Sequence, residues 1–154
     1  MVNSSGQSAA RNGSAFEMQL KAALENHPRY AANYQFRLES GKADGRPCRY
    51  DAIVYDRQTG ERILISCKAQ HSSGSTEEKV PFELLHLHHS LQSQVAERAY
   101  LVLFGNGFSR VKDFYLSKQF KNYMPKLAYG IDWPDELVMT NMDTLCGYIA
   151  KEKL

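Results

Sequence analysis

The most informative segment of the chain is residues 49–70, RYDAIVYDRQTGERILISCKAQ. It holds two apolar runs, 49–55 and 62–69, on either side of a short polar turn that ends in glycine. Apolar runs of this length, joined by a short loop with a terminal Gly, are typical of two antiparallel strands. The segment therefore predicts a β-hairpin, with Asp51 near the start of its first strand and Lys68 near the end of its second.

The segments on either side of the hairpin alternate between strand and helix patterns. The expected helices lie at 14–26, from the end of the polar loop 71–76 through about 98, at 109–123 and from about 143, and the expected strands lie at 34–38, 99–104 and 137–139. The resulting order of helices and strands is best accommodated by an α/β fold in which a central mixed sheet is flanked by helices.

The composition is that of one domain of ordinary size. The chain has 154 residues, 43% of them hydrophobic, and we expect a flexible tail at 1–13 and a single domain at 14–154.

The net charge of +2 excludes nucleic-acid binding by bulk charge. No apolar run is long enough to span a membrane and no signal peptide is recognisable, so a cytoplasmic location is expected. Three widely spaced cysteines without a CxxC pair predict reduced thiols.

Asp51 and Lys68 are the residues that point to chemistry. A lysine that follows an apolar strand is costly to bury without a charge partner, and Asp51 on the neighbouring strand would supply one. The pair has two interpretations. It is either a plain cross-strand ion pair, or part of a site in which carboxylates hold a divalent cation and the lysine orients a water for phosphodiester cleavage.

Around these two residues the chain resembles the PD-(D/E)XK nuclease superfamily, whose restriction-endonuclease-like fold has an αβββαβ core. The resemblance rests on Asp51 within YDAIV, on SCK at 66–68, on CKAQHSSGSTEEKVPFE at 67–83 and on YLVLFGNGF at 100–108. It extends over residues 13–123. The resemblance implies an endonuclease that depends on Mg²⁺, with Mn²⁺ able to substitute, and that cleaves double-stranded DNA at specific sites in the manner of restriction or homing enzymes.

By the same resemblance, Asp51 is a catalytic metal ligand, the Cys67 carbonyl is a backbone metal ligand, and Lys68 is the catalytic lysine. The chain departs from the family pattern at Ser66, which stands where the second acidic residue normally lies. A hydroxyl is a poor substitute for a carboxylate as a Mg²⁺ ligand. Some restriction enzymes of the superfamily carry Ser-x-Lys and use a glutamate from the next helix, and Glu83 on the predicted helix is the expected metal ligand here.

Four further residues have both a functional and a structural interpretation. Glu77 and Glu78 lie nearer in sequence to the catalytic lysine, but acids at a helix start also favour the helix dipole. Glu17 is expected as a catalytic acid and metal ligand, although a capping box with Ser14 accounts for it equally well. Gln70 is expected to contact the catalytic water or a phosphate, or else is an ordinary polar residue at a strand end.

Charge is unevenly distributed despite the small total. Segments 29–49 and 105–126 carry an excess of basic residues, whereas 127–154 is acidic. We expect the basic segments to contact DNA phosphates, and the polar loop at 71–76 to contribute to recognition; solvated faces would have the same composition. The expected DNA contacts are Lys79, Arg110 and Lys112.

Cleavage of both strands by a chain with one active site favours a homodimer or a larger symmetric oligomer. Three alternatives remain open. One is a DNA-binding module of the same fold without catalysis, which Ser66 keeps open, and another is a nuclease selective for DNA junctions. The third is a zinc-binding regulator that uses His86 and His89, which share a helix face.

Overall fold

The structure is a computed structural model of the chain, and it describes residues 4–42, 44–70, 76–108, 111–122 and 133–154. The helices are α1 (Ser4–Leu24), α2 (Val80–Gln92), α3 (Val111–Tyr115) and α4 (Met142–Ala150). The strands are β1 (Tyr30–Leu38), β2 (Cys48–Asp56), β3 (Arg62–Ala69), β4 (Arg98–Phe104) and β5 (Leu137–Asn141). A 3₁₀ turn at Glu77–Lys79 precedes α2, and residues 118–122 are also helical. None of the described helices is long and apolar enough to cross a membrane.

The strands form one mixed sheet in the order β1-β2-β3-β4-β5. β1, β2 and β3 are antiparallel neighbours, whereas β3, β4 and β5 are parallel neighbours. The predicted hairpin is confirmed, and so is the α/β fold with a central mixed sheet flanked by helices. β3 begins and ends at the residues that the sequence predicts, while β1 and β2 are longer than expected.

Hydrophobic side chains fill both faces of the sheet. On one face, which we call the α2 face, Leu87 of α2 packs in a core with Leu64 of β3. On the opposite face, which we call the α1 face, Phe16 of α1 packs in a second core with Ile65. Neighbouring residues of β3 thus belong to opposite cores, as strand alternation requires. The same alternation turns Ser66 toward α2.

The first helix begins at Ser4, ten residues before the expected start at Ser14. The small and polar residues ahead of Ser14 suggested a frayed tail, but Gly13 costs a helix only about 1 kcal/mol and does not end it. Ser14 and Glu17 lie inside the helix, so the expected capping box between them is wrong. The division into a tail and a domain at residue 14 stays a prediction.

The second helix ends at Gln92, several residues before its expected end. Gln94 adopts a left-handed backbone conformation with φ of 56°. Its N–H donates to the Leu91 carbonyl at 3.0 Å, and the Val95 N–H donates to the Ser90 carbonyl at 2.9 Å. Hydrogen bonds of this kind close a helix at a left-handed residue. Val95, expected on the helix, therefore lies in the connection to β4.

The helix expected at 109–123 is interrupted in the part that the structure describes. α3 ends at Tyr115, and the helical residues resume at 118–122. Between them Ser117 Oγ donates to the Phe114 carbonyl at 2.6 Å and accepts from the Phe120 N–H at 3.2 Å. A serine hydroxyl used in this way caps the second segment, because it satisfies an N–H that has no partner within the helix.

β1 and β2 both change face at one level of the sheet. Tyr34 packs against the core of the α1 face and Phe36 against that of the α2 face, although residues two apart in a regular strand share a face. Gln35 between them has a left-handed backbone with φ of 53°. On β2, Tyr50 and Ala52 likewise belong to opposite cores. Asp51, which lies between Tyr50 and Ala52, is part of the candidate site described below.

Candidate active site

The site lies where β2 and β3 separate. Their pairing ends at Ala52 and Ile65. Beyond that pair the carboxylate of Asp51 takes the place of a backbone partner, because its Oδ2 accepts a hydrogen bond from the Cys67 N–H at 2.7 Å. The Asp51 carboxylate is thereby held against the end of β3.

Glu83 joins the site from the first turn of α2. Its Oε2 lies 2.7 Å from Lys68 Nζ, and its Oε1 accepts a hydrogen bond of 2.5 Å from Ser66 Oγ. Ser66 and Lys68 are two residues apart on β3 and share the α2 face. The side chains of Lys68 and Glu83 are only 22% and 13% exposed, so their ion pair is shielded from solvent. One carboxylate therefore connects the serine and the lysine of the Ser-x-Lys motif.

Burial raises the pKa values of two groups at the site, the Asp51 carboxyl and the Cys67 thiol. Burial raises the pKa of Asp51 and the nearby Glu83 charge acts in the same direction, whereas the Cys67 N–H and the Lys68 ammonium oppose the rise. Burial also strongly raises the pKa of the Cys67 thiol, which is therefore protonated at neutral pH and is no nucleophile. That thiol packs against the α1-face core, so Cys67 contributes its backbone to the site.

The donor set suits a hard divalent cation. The carboxylates of Asp51 and Glu83 both contact the end of β3. The Cys67 carbonyl projects to the same side of the strand as its N–H, toward Asp51. Mg²⁺ is usually held by one or two carboxylates, with water and substrate phosphate as further ligands. Within the described ranges no group of three or more His, Cys, Asp or Glu residues is placed to hold a metal.

Glu17 has its contacts one strand away from this cluster. Its Oε1 lies 2.6 Å from Lys21 Nζ, and its Oε2 accepts from Gln35 Nε2 at 3.1 Å. The hydrogen bond from Lys21 lowers the pKa of Glu17. The flanking register pairs place Gln35 opposite Asp51, so Glu17 reaches the level of the site through Gln35. No described contact joins Glu17 to Asp51 or Glu83, and its role as a metal ligand stays a prediction.

Gln70 is buried at the end of β3, with 4% of its surface exposed. Its Nε2 donates to the Gly107 carbonyl at 2.9 Å, and its own carbonyl accepts from the Gly107 N–H at 2.7 Å. These two hydrogen bonds fix the loop after β4 against the end of β3. The described side-chain contact is structural, and contact with water or phosphate stays a prediction.

The expected DNA contacts are only partly described. Lys79 is exposed at the N-terminus of α2, and Glu78 is exposed in the preceding 3₁₀ turn. Several predicted positions lie outside the described residues or side chains, namely Arg110, residues 71–75 and the side chains of Lys112 and Glu77.

Two features of the site were not anticipated from the sequence. Ser66 was considered only as a missing acid, whereas its hydroxyl donates to the carboxylate of Glu83. Its two-residue spacing from Lys68 was the signal, because that spacing puts both side chains on one face. The left-handed conformation of Gln35 beside the site has no signal in a single sequence, since it belongs neither to glycine nor to a turn.

Comparison with known proteins gives one family. A family model described as a PD-(D/E)XK nuclease superfamily domain matches residues 8–144. No curated protein matches the chain. The crystal structure of a protein of unknown function, AF1548, is similar at a TM-score of 0.45 and 12% sequence identity, over 84% of this chain and 57% of that one. The chain therefore spans less than two thirds of the length of that structure, and so weak a likeness carries no argument about fold or function.

Proposed function

The chain belongs to the PD-(D/E)XK nuclease superfamily, and on that premise we propose that it is a Mg²⁺-dependent endonuclease that hydrolyses phosphodiester bonds of duplex DNA. The proposal extends to site-specific cleavage of the restriction or homing type, to replacement of Mg²⁺ by Mn²⁺, to assembly as a homodimer and to a cytoplasmic location.

The observation that carries the proposal is the position of the Glu83 carboxylate between Ser66 and Lys68. An acidic residue in place of Ser66 would present its carboxylate on this same face of β3. α2 supplies a carboxylate there instead, and Asp51 supplies a second one at the backbone of Cys67. Two carboxylates and a lysine at the open end of a hairpin are the groups that metal-assisted phosphodiester hydrolysis requires.

In the proposed reaction Asp51, Glu83 and the Cys67 carbonyl hold the metal ion, which when bound neutralises charge on the phosphoryl group and lowers the pKa of a water. Lys68, with 22% of its side chain exposed, donates from its ammonium to the attacking water and to the phosphoryl oxygens as negative charge develops on them. The water oxygen forms a bond to phosphorus as the bond from phosphorus to the 3′ oxygen breaks, and the net transfer of one proton from the water to the 3′ oxygen leaves a 5′-phosphate and a 3′-hydroxyl.

Cleavage of supercoiled plasmid in Mg²⁺, in Mn²⁺ and in EDTA tests the proposal. We expect the wild-type protein to cut in either metal and not in EDTA, and Lys68→Ala to lower the rate by at least about 100-fold. Lys151→Ala, which removes an exposed lysine at the end of α4, is the matched control and should cut like wild type.

Measuring DNA binding beside cleavage separates the nuclease from a DNA-binding module that has lost catalysis, the alternative that Ser66 keeps open. Pure wild-type protein that binds duplex, single-stranded and junction DNA in Mg²⁺ but cuts none of them would contradict the nuclease. Cutting of junctions alone would replace duplex DNA by branched DNA as the substrate.

A further inference from the structure

Two arginines lie directly opposite each other on β1 and β2. Arg37 and Arg49 are partners in the strand register, and both side chains are exposed. Together with Pro47 and Cys48 they line a surface pocket of about 180 Å³. Like charges in directly opposed positions of an antiparallel pair are destabilising. Repulsion between the two guanidinium groups therefore destabilises the folded state, and a bound anion would offset that repulsion.

Few carboxylates in the described part of the chain neutralise this pair. Arg37 Nε lies 2.9 Å from Glu39 Oε1, but Glu39 is 80% exposed and an ion pair so open to solvent contributes little. Arg49 takes part in no ion pair among the described residues. The other arginines of segment 29–49 differ, since Arg29 binds Asp56 and Arg46 binds Asp44.

The pocket is close to the candidate site along the chain. Arg49 precedes Asp51 by two residues on the same strand, a distance of about 7 Å between their Cα atoms. Phe36 and Tyr50 pack in the α2-face core, so their neighbours Arg37 and Arg49 project from the α1 face, whereas Lys68 and Glu83 meet on the α2 face. A nucleic-acid strand that crosses the open end of the hairpin from Asp51 toward the α1 face would bring a further backbone phosphate to these long arginine side chains. Guanidinium groups match phosphate oxygens because their planar fork donates two parallel hydrogen bonds.

We propose that Arg37 and Arg49 form a clamp that binds a backbone phosphate of the nucleic acid on the α1-face side of the open end of the hairpin. The identity of the polyanion rests on the proposed function. The clamp contributes affinity and position rather than base recognition, because contacts to phosphates carry no direct sequence information. The cross-strand repulsion of the free protein is relieved when a phosphate binds between the two guanidinium groups.

Binding of a fluorescent DNA duplex, measured by anisotropy across a series of salt concentrations with Ca²⁺ in place of Mg²⁺, tests the clamp. We expect Arg49→Ala to lower the affinity by about tenfold and to reduce the slope of log affinity against log salt by about one, since one phosphate contact is lost. Arg37→Ala should do the same, and Arg49→Lys should retain the slope. Arg57→Ala, at the exposed turn beyond the other end of β2, is the matched control and should leave the slope unchanged.

Thermal unfolding distinguishes the clamp from a structural role. The melting temperatures of Arg37→Ala and Arg49→Ala should equal or exceed that of wild type, because removal of either charge ends the repulsion. An unchanged salt slope in both variants, or wild-type protein that binds no DNA, would overturn the proposal.

Failure of the clamp and failure of the proposed function have different signatures. A protein that cuts DNA with an unchanged slope in both arginine variants retains the function and has no clamp. A protein that never cuts, yet loses a phosphate contact with each arginine, has the clamp without the nuclease.

Discussion

Ser66 stands where the family pattern has an acidic residue, so a neutral hydroxyl that can donate a hydrogen bond takes the place of a negatively charged carboxylate. A carboxylate at this position would face the carboxylate of Glu83 in a place where Ser66 is only 1% exposed, and two buried like charges repel each other. The hydroxyl instead donates to Glu83 Oε1 and leaves Oε2 for Lys68. The substitution at Ser66 and the carboxylate from α2 are therefore mutually compatible in physical terms.

Glu83 and Glu78 are two described acids near the start of α2 that the sequence offers as replacements, and their positions predict different effects of mutation on cleavage. We expect Glu83→Gln to lower the cleavage rate by at least about 100-fold, because it removes one of two carboxylates and the charge that holds Lys68. Glu78→Gln should cut like wild type, since Glu78 is exposed in the 3₁₀ turn. Single-turnover cleavage at saturating Mg²⁺ measures both, and the reverse ranking would assign the role to Glu78.

At the scale of the element, apolar periodicity predicted strands and helices well wherever burial alone sets their extent. β3 was predicted to the residue because its apolar run ends in polar residues on both sides. α2 was predicted too long because its end depends on Gln94 taking a left-handed conformation, which glycine or asparagine would have indicated and glutamine does not. For the same reason the change of face in β1 at Gln35 could not be predicted.

The left-handed backbone of Gln35 makes a prediction about β1. β-branched side chains are strongly disfavoured at positive φ, so Gln35→Val should lower the melting temperature by several degrees, at a cost of about 1–3 kcal/mol. Gln35→Gly should be tolerated, because glycine adopts this conformation without strain. Asn33→Val is the matched control on the same strand, where valine suits an extended backbone and an exposed face. Thermal unfolding of the three variants checks the ranking, and equal stability of Gln35→Val and Gln35→Gly would contradict it.

At the scale of the whole molecule, the charge pattern of the sequence overstates the basic surface. Segment 29–49 reads as a basic patch, but Arg29 is bound to the buried carboxylate of Asp56 and Arg46 to Asp44. The Arg46–Asp44 pair is local, but the pairing of Arg29 with Asp56 is a contact across 27 residues, which the composition of the segment does not indicate. The cationic side chains of this segment without a described ion pair are Lys42 and Arg49.

Asp56 joins parts of the molecule that are distant in sequence, at the end of the hairpin opposite to the candidate site. Its carboxylate accepts from Arg29 Nη2 at 2.7 Å and from the N–H groups of Gln58 and Thr59 at 2.8 and 3.3 Å. Arg29 Nη1 also donates to the carbonyl of Glu152, at 2.9 Å. One buried acid therefore ties β1, the β2–β3 turn and the residues after α4 together.

This linkage predicts a dependence of stability on pH. Hydrogen bonds from Arg29 hold the pKa of Asp56 well below its usual range, so the folded state binds a proton less readily than the unfolded state. The stabilisation is therefore fully present above about pH 4, where an unfolded aspartate is ionised, and it decreases as the pH falls through the lowered pKa. We expect Asp56→Asn to lower the melting temperature by about 5–10 °C at pH 7, and the difference from wild type to shrink toward pH 3.

Asp44→Asn is the matched control, because Arg46 also holds the pKa of Asp44 down, to about 2, yet the pair is exposed. Its effect should be small at both pH values, and an effect as large as that of Asp56→Asn would mean that burial of the acid is not what gives the linkage its strength.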